Sequence, residues 1–180
     1  MQWSKVKSRW KELLAESVAD RVDLHLSQYR RAHDGEGDAW FTFDRSEVLR
    51  FTNVDIVDWR ESQQRDALLK MGKHLEYGIN EIGKSSHVTS TSDLPRDWQF
   101  SQSDLLRALF FWINKPLEKS LACEHPLPRA LAMLDRRVGK RRLKAFHPQL
   151  DFRVVSVLHD VRMQCEGSSR VDLTHRDATG

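Results

Sequence analysis

Two cysteines in 180 residues, Cys123 and Cys165, are too few and too far apart for a disulfide framework, and their spacing matches no metal or redox pair. A reducing compartment is expected. No apolar run comes near the ~20 residues that a membrane-spanning helix needs. The opening MQWSKVKSRWKELL has no continuous apolar stretch of the signal-peptide kind. The expected setting is therefore cytoplasmic, with no membrane partner. Also missing are a glycine-rich phosphate loop, a nucleophile elbow and a paired-histidine zinc helix, so no cofactor is expected and the reading leans away from an enzyme. Zinc-finger spacing, a glycine-and-aromatic RNA signature and a basic zipper are absent as well. That excludes the common base-reading elements but leaves contact with a nucleic-acid backbone open.

What the chain does hold is enough apolar material to fold: 39% of residues are hydrophobic, with six Trp and eight Phe. A chain of this length buries roughly 70% of its unfolded surface. The net charge of +3 is small, but its location is uneven. Residues 123–150 carry seven cations against two anions, whereas residues 1–60, 61–122 and 151–180 are each neutral or one unit negative. The whole positive excess sits in one segment, and a field focused in that way steers acidic ligands.

Periodicity gives the organisation. Trp3, Val6, Trp10, Leu13, Leu14 and Ser17 share one arc of a helix expected from about Ser4 to Val18. Both Trp lie on the stripe a core would use, which argues against a helix lying on a membrane surface. From Arg21 the period drops to two. Val22, Leu24 and Leu26 alternate with polar residues, as do Ala39, Phe41 and Phe43, and EVLRFTN continues after a tight turn near Asp44–Ser46. Three antiparallel strands in a meander follow. Leu68, Met71, Leu75, Ile79 and Ile82 return to helical spacing and end at Gly83. The Ser- and Thr-rich stretch that follows reads as a polar loop over 84–100.

Beyond it the chain reads as helical. Ser101 and Asp104 form a capping-box pattern before LLRALFFWI, and Pro116, Pro126 and Pro148 stand where first helical turns begin. RALFFW, RALAML and RVVSVL start at 107, 129 and 153, a faint echo of short stacked helices. The expected fold is α+β: an N-terminal helix on a three-stranded antiparallel meander with a further helix (1–83), the polar loop (84–100), a mostly helical bundle packed on that unit (101–167) and a flexible tail (168–180).

The segment LDRRVGKRRLKAF carries the functional question. On one continuous helix, Leu127, Ala130, Leu131, Val138 and Ala145 fall within about 60° of Leu134, while Arg129, Arg136, Arg137, Lys140 and Lys144 fall between about 200° and 300°. Arg141 and Arg142 flank the apolar seam, their long stems able to cover its edge. Gly139 is the weak point of such a helix. The plain reading is a solvated face. The sharper one is a binding stripe of Arg129, Arg136, Arg137, Lys140, Arg141 and Lys144 that addresses an acidic protein surface, with sequence-independent nucleic-acid backbone binding as the alternative. A third reading places a hard cation or proton exchange in the loop HDGEGD, where His33, Asp34, Glu36 and Asp38 gather near Tyr29 and Arg30; Asp34, Glu36 and Asp38 are its metal candidates. His74, His87, His125, His147 and His175 read as structural or surface residues, His125 and His147 at helix starts. LFFWI reads as core rather than as a platform for bases.

Three blocks, MQWSKVKSRW, RVDLHLSQYRRAHDGEGDAW and PLPRALAMLDRRVGKRRL, together resemble a family of small bacterial proteins of unassigned function, over about residues 1–60 and 101–146. The resemblance implies a bacterial, cytoplasmic protein and brings no activity or catalytic residues with it.

Overall fold

The computed structural model describes residues 3–28, 37–52 and 96–168. The expected helix ending at Gly83, most of the polar loop, the tail beyond Ser168, and Tyr29, Arg30, His33, Asp34 and Glu36 of the acidic loop lie outside the described residues.

Strands β1 (Val22–Gln28), β2 (Gly37–Phe43) and β3 (Ser46–Thr52) form an antiparallel sheet in the order β1-β2-β3. The period-two pattern sends Val22, Leu24, Ala39, Phe41 and Phe51 to the buried face. Helix α1 (Trp3–Leu13) covers that face, and the Trp10 ring lies 6.2 Å from Phe41, which in turn meets Phe51 edge-on at 6.1 Å. Rings of this size each contribute about 1.5–3 kcal/mol by leaving water. The opposite face carries a cross-strand row in which Trp40 lies between a stacked His25 and the Arg50 guanidinium.

The turn between β2 and β3 places Asp44 (φ 48°) and Arg45 (φ 69°) in the left-handed region, as a two-residue hairpin turn of the right twist demands. Asp tolerates this through its short polar side chain, and the Arg21 guanidinium, paired with the Asp44 carboxylate, holds the turn. Gly37 begins β2 because nothing larger fits: a Cβ there would lie 2.1 Å from the Ser27 carbonyl oxygen. The same carbonyl accepts from Gln102 Nε2 at 3.0 Å, which docks the start of the next helix on the sheet.

That helix, α3 (Gln102–Asn114), has the expected capping box, with Ser101 Oγ accepting from the Asp104 N–H while Asp104 accepts from the Ser101 N–H. It is followed by α4 (Leu117–Leu121), α5 (Pro126–Met133), α6 (Lys140–Ala145), a 3-10 turn (Pro148–Leu150) and α7 (Arg153–Ser168). Pro126 and Pro148 occupy first turns, whereas Pro116 stands one position earlier, as the N-cap of α4. The echoing segments are α3, α5 and α7, and the nearly fully buried α5 packs between the other two. Phe110 is the departure from the expectation for LFFWI: Leu109 and Trp112 are buried, but Phe110 is largely exposed. One apolar cluster runs through helix, sheet and bundle, from Trp10 through Phe41 and Leu131 to Cys165.

Two expected helices are broken, and for one reason. The N-terminal helix stops at Leu13 and resumes as α2 (Glu16–Ala19) instead of running to Val18. The helix expected through Leu127–Ala145 stops at Met133 and resumes at Lys140. The two gaps lie against each other, where Leu14 and Asp135 form an isolated antiparallel bridge. The Ala15 N–H donates to the Leu134 carbonyl at 2.9 Å and the Arg136 N–H to the Leu13 carbonyl at 2.8 Å. Backbone groups that each helix would have used internally are satisfied across the gap instead.

Candidate functional site

Asp135, fully buried, fixes the basic segment. Its carboxylate accepts from the Trp112 indole N–H at 2.9 Å, from the Arg137 backbone N–H at 2.8 Å and from the Arg137 guanidinium. A buried carboxylate is tolerable when its oxygens are filled in this way. The same pairing raises the Arg137 guanidinium above its ordinary pKa. After the turn, Val138 goes into the core and Gly139 is the N-cap of α6, with φ −73°, so it begins a helix rather than ending one. Leu143 is the only buried residue of α6, and its carbonyl lies 3.0 Å from His159 Nε2.

The cations of the segment fall into two groups. Arg129 lies apart from the rest, its side chain 17% exposed. Its guanidinium grips Asp151 with two hydrogen bonds and also donates to the carbonyls of Cys123 and Glu124, so its donors are taken by the chain's own acceptors. Arg137 is held by Asp135 as described. Lys140 reaches Glu166 of α7 at 2.6 Å, and Arg142 binds both oxygens of Glu118 of α4 at 2.7 and 2.8 Å. Arg136, Arg141 and Lys144 are exposed and enter no ion pair among the described residues. The continuous stripe read from the sequence is thus corrected to a broken chain path, in which four of the seven cations have internal counter-ions.

Beneath Lys140 lies a charged network. Burial alone would raise the Glu166 carboxyl, but hydrogen bonds from Lys140 and Ser17 and the nearby charge of Arg162 outweigh it and hold the group below its ordinary value. Burial pulls the Arg162 guanidinium down. Glu118 is lowered by its hydrogen bonds from Arg142. None of the four counter-ions, Asp135, Asp151, Glu118 and Glu166, was singled out by sequence reasoning. Asp135 had a local signal, a carboxylate two residues before Arg137, but the others lie 22 to 26 positions from their partners.

Of the acidic loop's candidate residues only Asp38 is described; it lies in β2, where it accepts from Arg50 at 3.0 Å. Asp34 and Glu36 lie outside the described residues, among which no group of three His, Cys, Asp or Glu is placed to hold a metal ion. A cavity of about 280 Å³ opens at the hairpin end, lined by Asp20, Arg21, Asp23, Thr42, Asp44 and Arg45. Two of its carboxylates are occupied, Asp44 by Arg21 and Asp23 by Lys7. His125 is buried as the N-cap of α5, and its Nδ1 accepts from the Leu127 N–H at 3.2 Å. Burial pushes its pKa down to about 4, which keeps the ring neutral for that role. No helix among the described residues is long and apolar enough to cross a membrane.

A family model described as the SF0329 protein family matches residues 2–163. No curated protein and no solved structure matches the chain.

Proposed function

The chain belongs to the SF0329 protein family, and we propose that it works by binding, with Arg136, Arg141 and Lys144 addressing an acidic surface of another protein. The observation that carries this is the division among the cations. Arg129, Arg137, Lys140 and Arg142 are engaged by the chain's own carboxylates, while these three are exposed without an ion pair among the described residues. Val138 and Leu143 anchor the backbone on either side, so the three charges are presented from a fixed path rather than a free tail. The same exposed stretch ends at Leu150, the most exposed large hydrophobic among the described residues. Arg beside apolar side chains is the composition of protein interfaces. Three free cations and a six-residue helix are a small footprint for a duplex backbone.

The test uses the full chain with poly-L-glutamate and a DNA duplex as probes. Reversing Arg136, Arg141 and Lys144 to Glu should weaken poly-L-glutamate binding tenfold or more and leave the melting temperature within a few degrees. Tighter binding of the duplex than of poly-L-glutamate would transfer the site to nucleic acid. In that case three phosphate contacts at a slope of about −0.9 each would lower affinity roughly 40-fold between 50 and 200 mM salt. No binding of either probe at low salt would end the proposal.

A further inference from the structure

The two halves of the exposed basic surface meet at one ion pair. Glu118 of α4 takes two N–H groups of Arg142 of α6, and the two side chains are 69% and 52% exposed. An ion pair this open to water contributes little to stability and its members exchange readily with solvent or ligand. Four further cations are its near neighbours along the chain. Lys115 precedes Glu118 by three residues and Lys119 follows it, while Arg141 precedes Arg142 and Lys144 follows two residues later. All four are exposed, and none enters an ion pair among the described residues. Glu118 is the only carboxylate within either helix, LEKSL and KRRLKA. A single negative charge therefore lies among cations on both helices, held in a bidentate grip by Arg142.

That arrangement says what the surface is shaped for. The guanidinium fork already holds a planar carboxylate through both of its terminal nitrogens, the bidentate match for which arginine is suited. Resting on the reading that the segment binds an acidic protein, we propose that the partner docks across α4 and α6 together. Lys115, Lys119, Arg141 and Lys144 flank its acidic side chains, and Arg142 passes from Glu118 to a carboxylate of the partner. Glu118 is then a resident competitor: it occupies the central seat in the free protein and is displaced on binding. The partner chemistry is an acidic peptide segment with several Asp or Glu residues close together, one of them placed at the centre.

Poly-L-glutamate binding to the full chain tests this with two variants besides the reversal of Arg136, Arg141 and Lys144. Glu118→Gln removes the competing charge and should tighten binding about two- to fivefold, the range an exposed ion pair commands. The double variant Lys115→Glu, Lys119→Glu should weaken binding tenfold or more with unchanged circular dichroism and melting temperature. If reversal at 136, 141 and 144 abolishes binding while Glu118→Gln and the Lys115→Glu, Lys119→Glu double variant leave it unchanged, or if Glu118→Gln weakens it, this inference is overturned while the proposed function stands. If none of the variants changes binding, both fail.

Discussion

Replacing Asp135 with alanine is expected to destabilise the protein by about 3–4 kcal/mol, and the figure can be assembled from its contacts. The Trp112 indole N–H, on a fully buried ring, loses its acceptor; an orphaned buried donor costs about 1–3 kcal/mol. The Arg137 backbone N–H loses the carboxylate that ties the turn, a capping-type bond of about 1 kcal/mol. The Arg137 guanidinium is 37% exposed and can turn to water, so its share is discounted to under 1 kcal/mol. At roughly 2–4 °C per kcal/mol for a chain of this size, the melting temperature should fall by roughly 10 °C. Urea unfolding followed by tryptophan fluorescence and circular dichroism measures it. Asp135→Asn keeps an acceptor for the indole and should lose about half as much, and the effect of Trp112→Phe should be smaller in the Asp135→Ala background than in wild type, because the shared bond is already gone. An Asp135→Ala protein within 1 kcal/mol of wild type would refute the claim that this carboxylate organises the junction of the two broken helices.

Two further outcomes are expected. His125 has its ordinary pKa of 6.5 pushed down to about 4 in the folded protein. Between these values the unfolded chain binds the proton and the folded one does not. Its contribution is therefore complete above about pH 6.5 and lost as pH falls towards 4, on the order of 3 kcal/mol in all. Stability measured from pH 7 to 4.5 should decline, and His125→Asn, which keeps a capping acceptor, should flatten the decline; an unchanged slope in that variant contradicts the assignment. Arg129→Ala should cost about 2–3 kcal/mol in urea by leaving Asp151, which has a side chain only 14% exposed, without its cation, and Arg129→Lys should restore only part because one ammonium cannot replace the fork. Poly-L-glutamate binding should be unaffected in folded Arg129→Lys, since this arginine faces inward.

What could be read from the chain in advance depended on how far apart the deciding groups lie. The Ser101–Asp104 capping box, the Asp44–Arg45 turn and the His125 cap are each settled by residues within three positions of one another, and all three were legible. The strands were legible because alternation survives wherever one sheet face is buried. The helix breaks were signalled only at Gly139, the weak point of the second helix, which begins α6 instead of ending the helix before it. Leu134 and Val138 keep the apolar rhythm of a continuous helix because both are buried, yet the chain between them is a turn. The group that ends the helix is Leu14, 121 positions away, and no local pattern in either segment announces the bridge. Charge was misread in a similar way: a wheel shows which cations leave the core, but not which of them find a carboxylate on another helix.

Depth separates those ion pairs into two kinds. The acids that hold Arg137, Lys140 and Arg129 have side chains 0%, 11% and 14% exposed, so water barely reaches them. Arg137 and Arg129 are committed to the fold, whereas Lys140 is 65% exposed and Glu166 keeps Arg162 at 2.8 Å without it. Glu118, at 69%, is the one acid among the four that water already reaches, and exchanging it leaves no buried charge unpaired. On the proposed reading, a basic segment with seven cations offers an outside ligand Arg136, Arg141 and Lys144 directly and Arg142 by exchange. How many of its cations stay without a counter-ion is set by the placement of the chain's own carboxylates rather than by the charge of the segment.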